Sequence, residues 1–76
     1  MKYIALLRGI NISGKNKIAM SDLKKEFITL GYKEVITYLN SGNVVFESDI
    51  DDKNVIKDNI QAMIKNKFLF DIPTYI

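Results

Sequence analysis

Val35-Ile36-Thr37-Tyr38-Leu39-Asn40-Ser41-Gly42-Asn43-Val44-Val45-Phe46-Glu47-Ser48 reads as two β-prone runs folded about a turn. Val35 to Leu39 and Val44 to Ser48 are rich in β-branched and aromatic residues, and Asn40-Ser41-Gly42-Asn43 between them is a turn sequence. With Ser41-Gly42 as a two-residue loop, Leu39 faces Val44, Tyr38 faces Val45 and Thr37 faces Phe46. Alternation then puts Val35, Thr37, Leu39, Val44 and Phe46 on one face, apolar enough to lie under helices. The other face carries Ile36, Tyr38, Val45 and Glu47 and is mixed.

Each side of this hairpin supplies a helix and then a strand. On the N-terminal side, Met20, Leu23, Phe27 and Leu30 recur at helical spacing. Ser21 is the expected N-cap, Asp22 and Glu26 favour the positive helix end, and Gly31 is a stop, so a helix is predicted over Ser21–Leu30. Before it, Arg8 to Lys17 holds two Gly and two Asn and reads as a loop. Tyr3 to Leu7 is a continuous apolar run, which predicts a strand buried on both faces. On the C-terminal side, Asp49, Asp51 and Asp52 stand where a second helix begins, and Ile56, Ile60, Met63 and Ile64 give it one apolar stripe. Ile72 to Ile76 reads as a last strand, confined to an edge because Pro73 has no N–H to donate.

The order β-α-β-β-α-β predicts an α+β, ferredoxin-like sandwich: an antiparallel sheet of order 4-1-3-2 with two helices on one face. Helices on one side leave Ile36, Tyr38, Val45 and half of the first strand uncovered. That open face predicts either self-association or a continuation of the chain packed over it. The second is favoured, which makes residues 1–76 a single lobe forming the N-terminal part of a longer protein.

Composition narrows the chemistry. The chain of 76 residues contains no Cys and no His, which excludes disulfides, Cys nucleophiles and imidazole acid–base catalysis within it. The net charge is only +2, but residues 1–38 carry seven Lys or Arg against three acids, whereas residues 39–76 carry four Lys against six acids. Lys2, Arg8, Lys15 and Lys17 precede the first acid, Asp22, so the positive field is local to the N-terminal end. Five uncharged residues between Lys2 and Arg8 are too few for an export signal, and no stretch reaches the roughly 18–20 apolar residues of a membrane span. The cytoplasm is the expected compartment.

Gly9-Ile10-Asn11-Ile12-Ser13-Gly14-Lys15-Asn16 matches the spacing of a P-loop, but Asn16 stands where Ser or Thr must ligate magnesium. The helix also starts too late for its amides to cradle phosphate. A weaker anion site survives that objection. In the predicted topology the first loop, the helix start and the Asn40–Asn43 turn share one sheet edge. Arg8, Asn11, Lys15, Asn16, Lys17, Asn40, Ser41, Gly42 and Asn43 are its candidate binding residues, with Gly9 and Gly14 shaping the loop. Three charge-assisted hydrogen bonds supply about 5–9 kcal/mol gross, against about 4–15 kcal/mol for association. Binding would be weak. The competing explanation gives the glycines to loop dihedrals, the Asn side chains to loop backbone and the cations to water.

Other sites read more thinly. RNA-binding sheets of this topology stack bases on the first and third strands. Tyr3 suits that role, but Asn43-Val44-Val45-Phe46 lacks the aromatic spacing, so nucleic acid is disfavoured. Asp49, Asp51 and Asp52 lack the Gly and distal Glu of a calcium loop, and helix capping explains them. Tyr38 and Lys15 have no evident partner to tune them as acid or base. Met20 and Met63 fall on helix stripes as core residues. No metal set and no cofactor motif is present.

The segments Tyr3-Ile4-Ala5-Leu6-Leu7-Arg8-Gly9-Ile10-Asn11, Gly14-Lys15-Asn16-Lys17, Leu30-Gly31-Tyr32 and Thr37 to Phe46, with Met20 and Asp22-Leu23, resemble the bacterial domain-of-unknown-function family 1697. Ser13 and Ala19 depart from it, standing where Gly, and Pro or Lys, are usual. The resemblance implies a ferredoxin-like lobe, a full protein about twice this length and no assigned activity. Its signature falls on Arg8–Lys17 and Asn40–Asn43. The leading expectation is therefore a binding module for a phosphate-like anion at that edge. The alternatives are an association domain acting through the open face, and the non-catalytic half of an enzyme completed by further sequence.

Overall fold

The computed structural model describes residues 1–11, 16–38 and 42–76. Strand β1 spans Lys2–Leu7, helix α1 Met20–Thr29, β2 Lys33–Thr37, β3 Asn43–Glu47, α2 Lys53–Phe68 and β4 Thr74–Tyr75. The sheet order is β2-β3-β1-β4 with antiparallel neighbours throughout. This is the predicted 4-1-3-2 order, and the architecture is α+β with a ferredoxin-like arrangement. Leu23 and Phe27 of α1 and Ile56, Ile60 and Ile64 of α2 are fully buried in one cluster with Ala5, Val44 and Phe46 of the sheet. Phe46 anchors it: the rings of Tyr32, Phe27 and Tyr3 lie 4.7, 5.4 and 5.8 Å from its own.

Helix boundaries follow capping chemistry. Asp52 Oδ1 accepts from the Asn54 and Val55 amides at 2.9 and 3.3 Å, which fixes the start of α2 and gives one of the clustered acids its role. Gly31, at φ 96°, ends α1: its N–H donates to Ile28 O and that of Tyr32 to Phe27 O, the paired bonds of a Schellman turn. The start of α1 corrects the expected Ser21 cap. Met20 is buried and belongs to the helix, and Ala19 is the N-cap, its carbonyl accepting from both Asp22 and Leu23 at 3.0 Å. The apolar stripe begins one residue before Ser21, and burying Met20 draws the helix back to include it.

Three further expectations are corrected. Strand β1 is buried on one face only, with Tyr3, Ala5 and Leu7 inside and Ile4 and Leu6 exposed at 59% and 36%. Both helices lie on the other side of the sheet. The hairpin register is shifted by two residues: Val44 pairs with Thr37 and Val45 with Ile36, rather than with Leu39 and Tyr38. Tyr38 N–H donates to Asn43 O at 3.4 Å, so four residues rather than two separate the paired positions, and the Gly42 carbonyl at the end of that connection accepts from Leu7 N at 2.8 Å and continues the β3–β1 pairing. A shift of two preserves sidedness, so Val35, Val44 and Phe46 still face inward and Ile36 and Tyr38 outward. Finally, β4 is only Thr74–Tyr75, since pairing begins after Pro73, while Thr74 N is held by Gln61 Oε1 at 3.0 Å.

Candidate functional site

Leu7 N–H donates to Gly42 O at 2.8 Å and Arg8 N–H to Pro73 O at 3.0 Å, so the end of β1 is joined to the chain entering β3 and to the chain entering β4. Gly42 is required at its place: φ is +79°, and a Cβ there would collide with the Leu7 carbonyl oxygen. Within the β1–α1 connection Asn11 acts as a brace. Its Oδ1 accepts from Ile18 N at 2.9 Å and its Nδ2 donates to Ile18 O at 3.1 Å, with its backbone at φ 56°. Asn11 thus holds the approach to α1, where the N-cap Ala19 makes no side-chain capping bond. Asn16, at φ 50°, donates Nδ2 to Gly9 O at 3.1 Å. Both positions use the tolerance of Asn for left-handed backbone together with its local hydrogen bonding.

The edge therefore brings together Arg8, Gly9, Asn11, Asn16, Lys17, Gly42 and Asn43 of the candidate set. Gly14, Lys15, Asn40 and Ser41 lie outside the described residues. Arg8 and Lys17 are exposed, whereas the Asn11 and Asn16 side chains bond to the loop's own backbone and Asn43 is half-buried in β3. Tyr3 and Phe46, the aromatics weighed for base stacking, are buried under the helices. Among the described residues, surface recesses of about 260–310 Å³ lie beside Met1 and Glu47, beside Gln61 and Pro73, and between α1 and α2 at Leu30 and Met63. Among the described residues no group of three or more His, Cys, Asp or Glu is disposed to hold a metal, and no helix is long and apolar enough to cross a membrane.

The side of the sheet opposite the helices is the second candidate surface, and register orders it into rows. Nearest the loop edge, Tyr75, Leu6 and Asn43 stand across β4, β1 and β3, with Tyr38 beyond them beside Asn43. Next come Ile4, Val45 and Ile36, then Lys2, Glu47 and Lys33. Ile4, Ile36, Tyr38 and Tyr75 are each exposed by half or more. The chain pattern identifies Ile36, Tyr38 and Val45 as open-face residues. It does not place Tyr75 beside Leu6 or Lys2 beside Glu47, because those neighbours depend on pairing between distant strands.

The family model described as "Protein of unknown function (DUF1697)" matches residues 1–76. Among solved structures, the conserved bacterial protein SP0830 from Streptococcus pneumoniae is similar, with 36% identity over 97% of this chain and a TM-score of 0.80. This chain spans 42% of that protein's length. A search of curated proteins returned no match.

Proposed function

The chain belongs to the DUF1697 family, which assigns it no activity, and from that premise we propose that it is an association lobe working through its open sheet face. The observation that carries this reading is the exposure of Ile4 and Ile36 at 59% and 51%, with Leu6, Tyr38 and Tyr75 around them. Apolar side chains this close together are favoured at interaction surfaces rather than in water. Covering a half-exposed Ile contributes on the order of 1 kcal/mol, so several together make a useful interface. The test is binding of a hydrophobic fluorescent dye at low micromolar chain concentration, compared with an Ile4→Ser/Ile36→Ser variant that stays folded by circular dichroism. Dye binding lost in the variant supports the reading. A folded parent chain that binds no dye and does not associate refutes it.

A second reading keeps the anion site at the loop edge, supported by the Leu7–Gly42 bond that draws the two signature segments together beside exposed Arg8 and Lys17. Because Asn11 and Asn16 are engaged within the loop, recognition would fall mainly to the cations and Lys15, with weak affinity. Phosphate titration by NMR, set against an Arg8→Ala/Lys15→Ala variant, tests it. Identical shifts in both proteins, or none in either, remove this reading.

A further inference from the structure

We infer that the open sheet face takes a second copy of this chain, in a two-fold dimer whose axis runs parallel to the strands between β1 and β3. The inference rests on the association reading above and adds the partner and the pairing. In the order β2-β3-β1-β4, the central pair is β3 and β1. Two sheets packed face to face keep their strands nearly aligned, about 10 Å apart. A two-fold axis along the strands leaves each row at its own level and exchanges β1 with β3 and β4 with β2.

The β1 and β3 members of the charged row and of the Ile4 row then meet complementary ones, while Ile36 and Lys33 on β2 extend past the second copy's two-residue β4. Lys2, the Cα partner of Glu47 within the sheet, comes to lie over the Glu47 of the second copy, and its Glu47 under the other Lys2. Among the described residues neither is in an ion pair within the chain, so both charges are open to a partner. In the next row, Ile4 lies over the second copy's Val45. In the row at the loop edge, Tyr75 lies over the second copy's Tyr38, and Leu6 over Asn43. A symmetric interface requires this kind of self-complementarity, with residue i meeting j and j meeting i. An axis perpendicular to the strands instead sets the charged row against the Tyr75–Leu6–Tyr38 row, leaving Lys2 and Glu47 without opposite charges.

The experiment is light scattering and sedimentation of the chain from about 10 µM to 1 mM, with Ile4→Lys, Lys2→Glu, Glu47→Lys and the double reversal Lys2→Glu/Glu47→Lys. The expected result is a mass rising to twice 8.7 kDa and a monomeric Ile4→Lys. Each single reversal turns two attractive pairs into two repulsive ones and weakens the dimer about tenfold; the double reversal restores it. A chain that stays monomeric at 1 mM while binding dye overturns the dimer and leaves the association reading standing. A dimer insensitive to Ile4→Lys uses another surface and also overturns it. A dimer lost in Ile4→Lys but not rescued by the double reversal overturns the proposed axis.

Discussion

The backbone N–H of Leu7 and the carbonyl of Gly42 meet at 2.8 Å, and the same approach leaves no room for a side chain at residue 42. One close contact therefore bears on two things: where β3 meets β1, and the joining of the two loop segments at one edge.

Gly42→Ala puts a methyl group against the Leu7 oxygen and a side chain on left-handed backbone. The expected cost is about 2–3 kcal/mol, read as a lower denaturation midpoint with unchanged slope. Amide shifts should spread from Leu7 into β3. A cost below about 0.5 kcal/mol would mean that the two segments are not held this closely.

Asn11→Ala removes both bonds to the buried Ile18 backbone and also strains the left-handed conformer. Unpaired buried backbone groups cost about 1–3 kcal/mol. Asn11→Gly relieves the strain but not the lost bonds. Equilibrium unfolding should therefore rank the parent chain above Asn11→Gly and that above Asn11→Ala, with Ile18 amide exchange accelerated in both variants.

The Tyr32 hydroxyl is buried without a hydrogen-bond partner; burial raises its pKa above the ordinary 10.0, an effect that the nearby Asn59 side chain partly offsets without reaching hydrogen-bond geometry. A raised native pKa gives stability that is complete below the unfolded value of 10.0 and is lost as pH climbs through the native value. Tyr32→Phe should be neutral or stabilising by about 1 kcal/mol at pH 7. It should also flatten the loss of stability above pH 10. Unfolding titrations of both proteins from pH 7 to 11 check both points, and a variant losing more than about 1 kcal/mol at pH 7 would show that the hydroxyl is satisfied.

Leu69 closes α2 in the left-handed region at φ 64°, with its side chain 81% exposed. Leu69→Gly removes strain of about 1–2 kcal/mol and gives back part of it through unfolded-chain entropy. A net gain of about 0.5–1 kcal/mol is expected, or a rise in Tm of a few degrees. Calorimetry at neutral pH measures it.

Element order, the inward and outward faces of the hairpin, the Gly31 stop and the Asp-rich start of α2 were all legible in the chain, because each depends on periodicity or on hydrogen bonds within a few residues. Ser21 misled because capping preference is worth about 1 kcal/mol, and burial of Met20 outweighs it. The sequence determined that Ile36, Tyr38 and Val45 share a face, since alternation is a property of the strand itself. Only the tertiary structure decided that Val45 pairs with Ile36, that Ile4 is exposed, that Asn11 serves Ile18, and that Lys2 stands beside Glu47. The strand neighbours are set by pairing between strands and the Asn11 brace by the path the loop takes into α1, and the local preference of a residue carries no record of either.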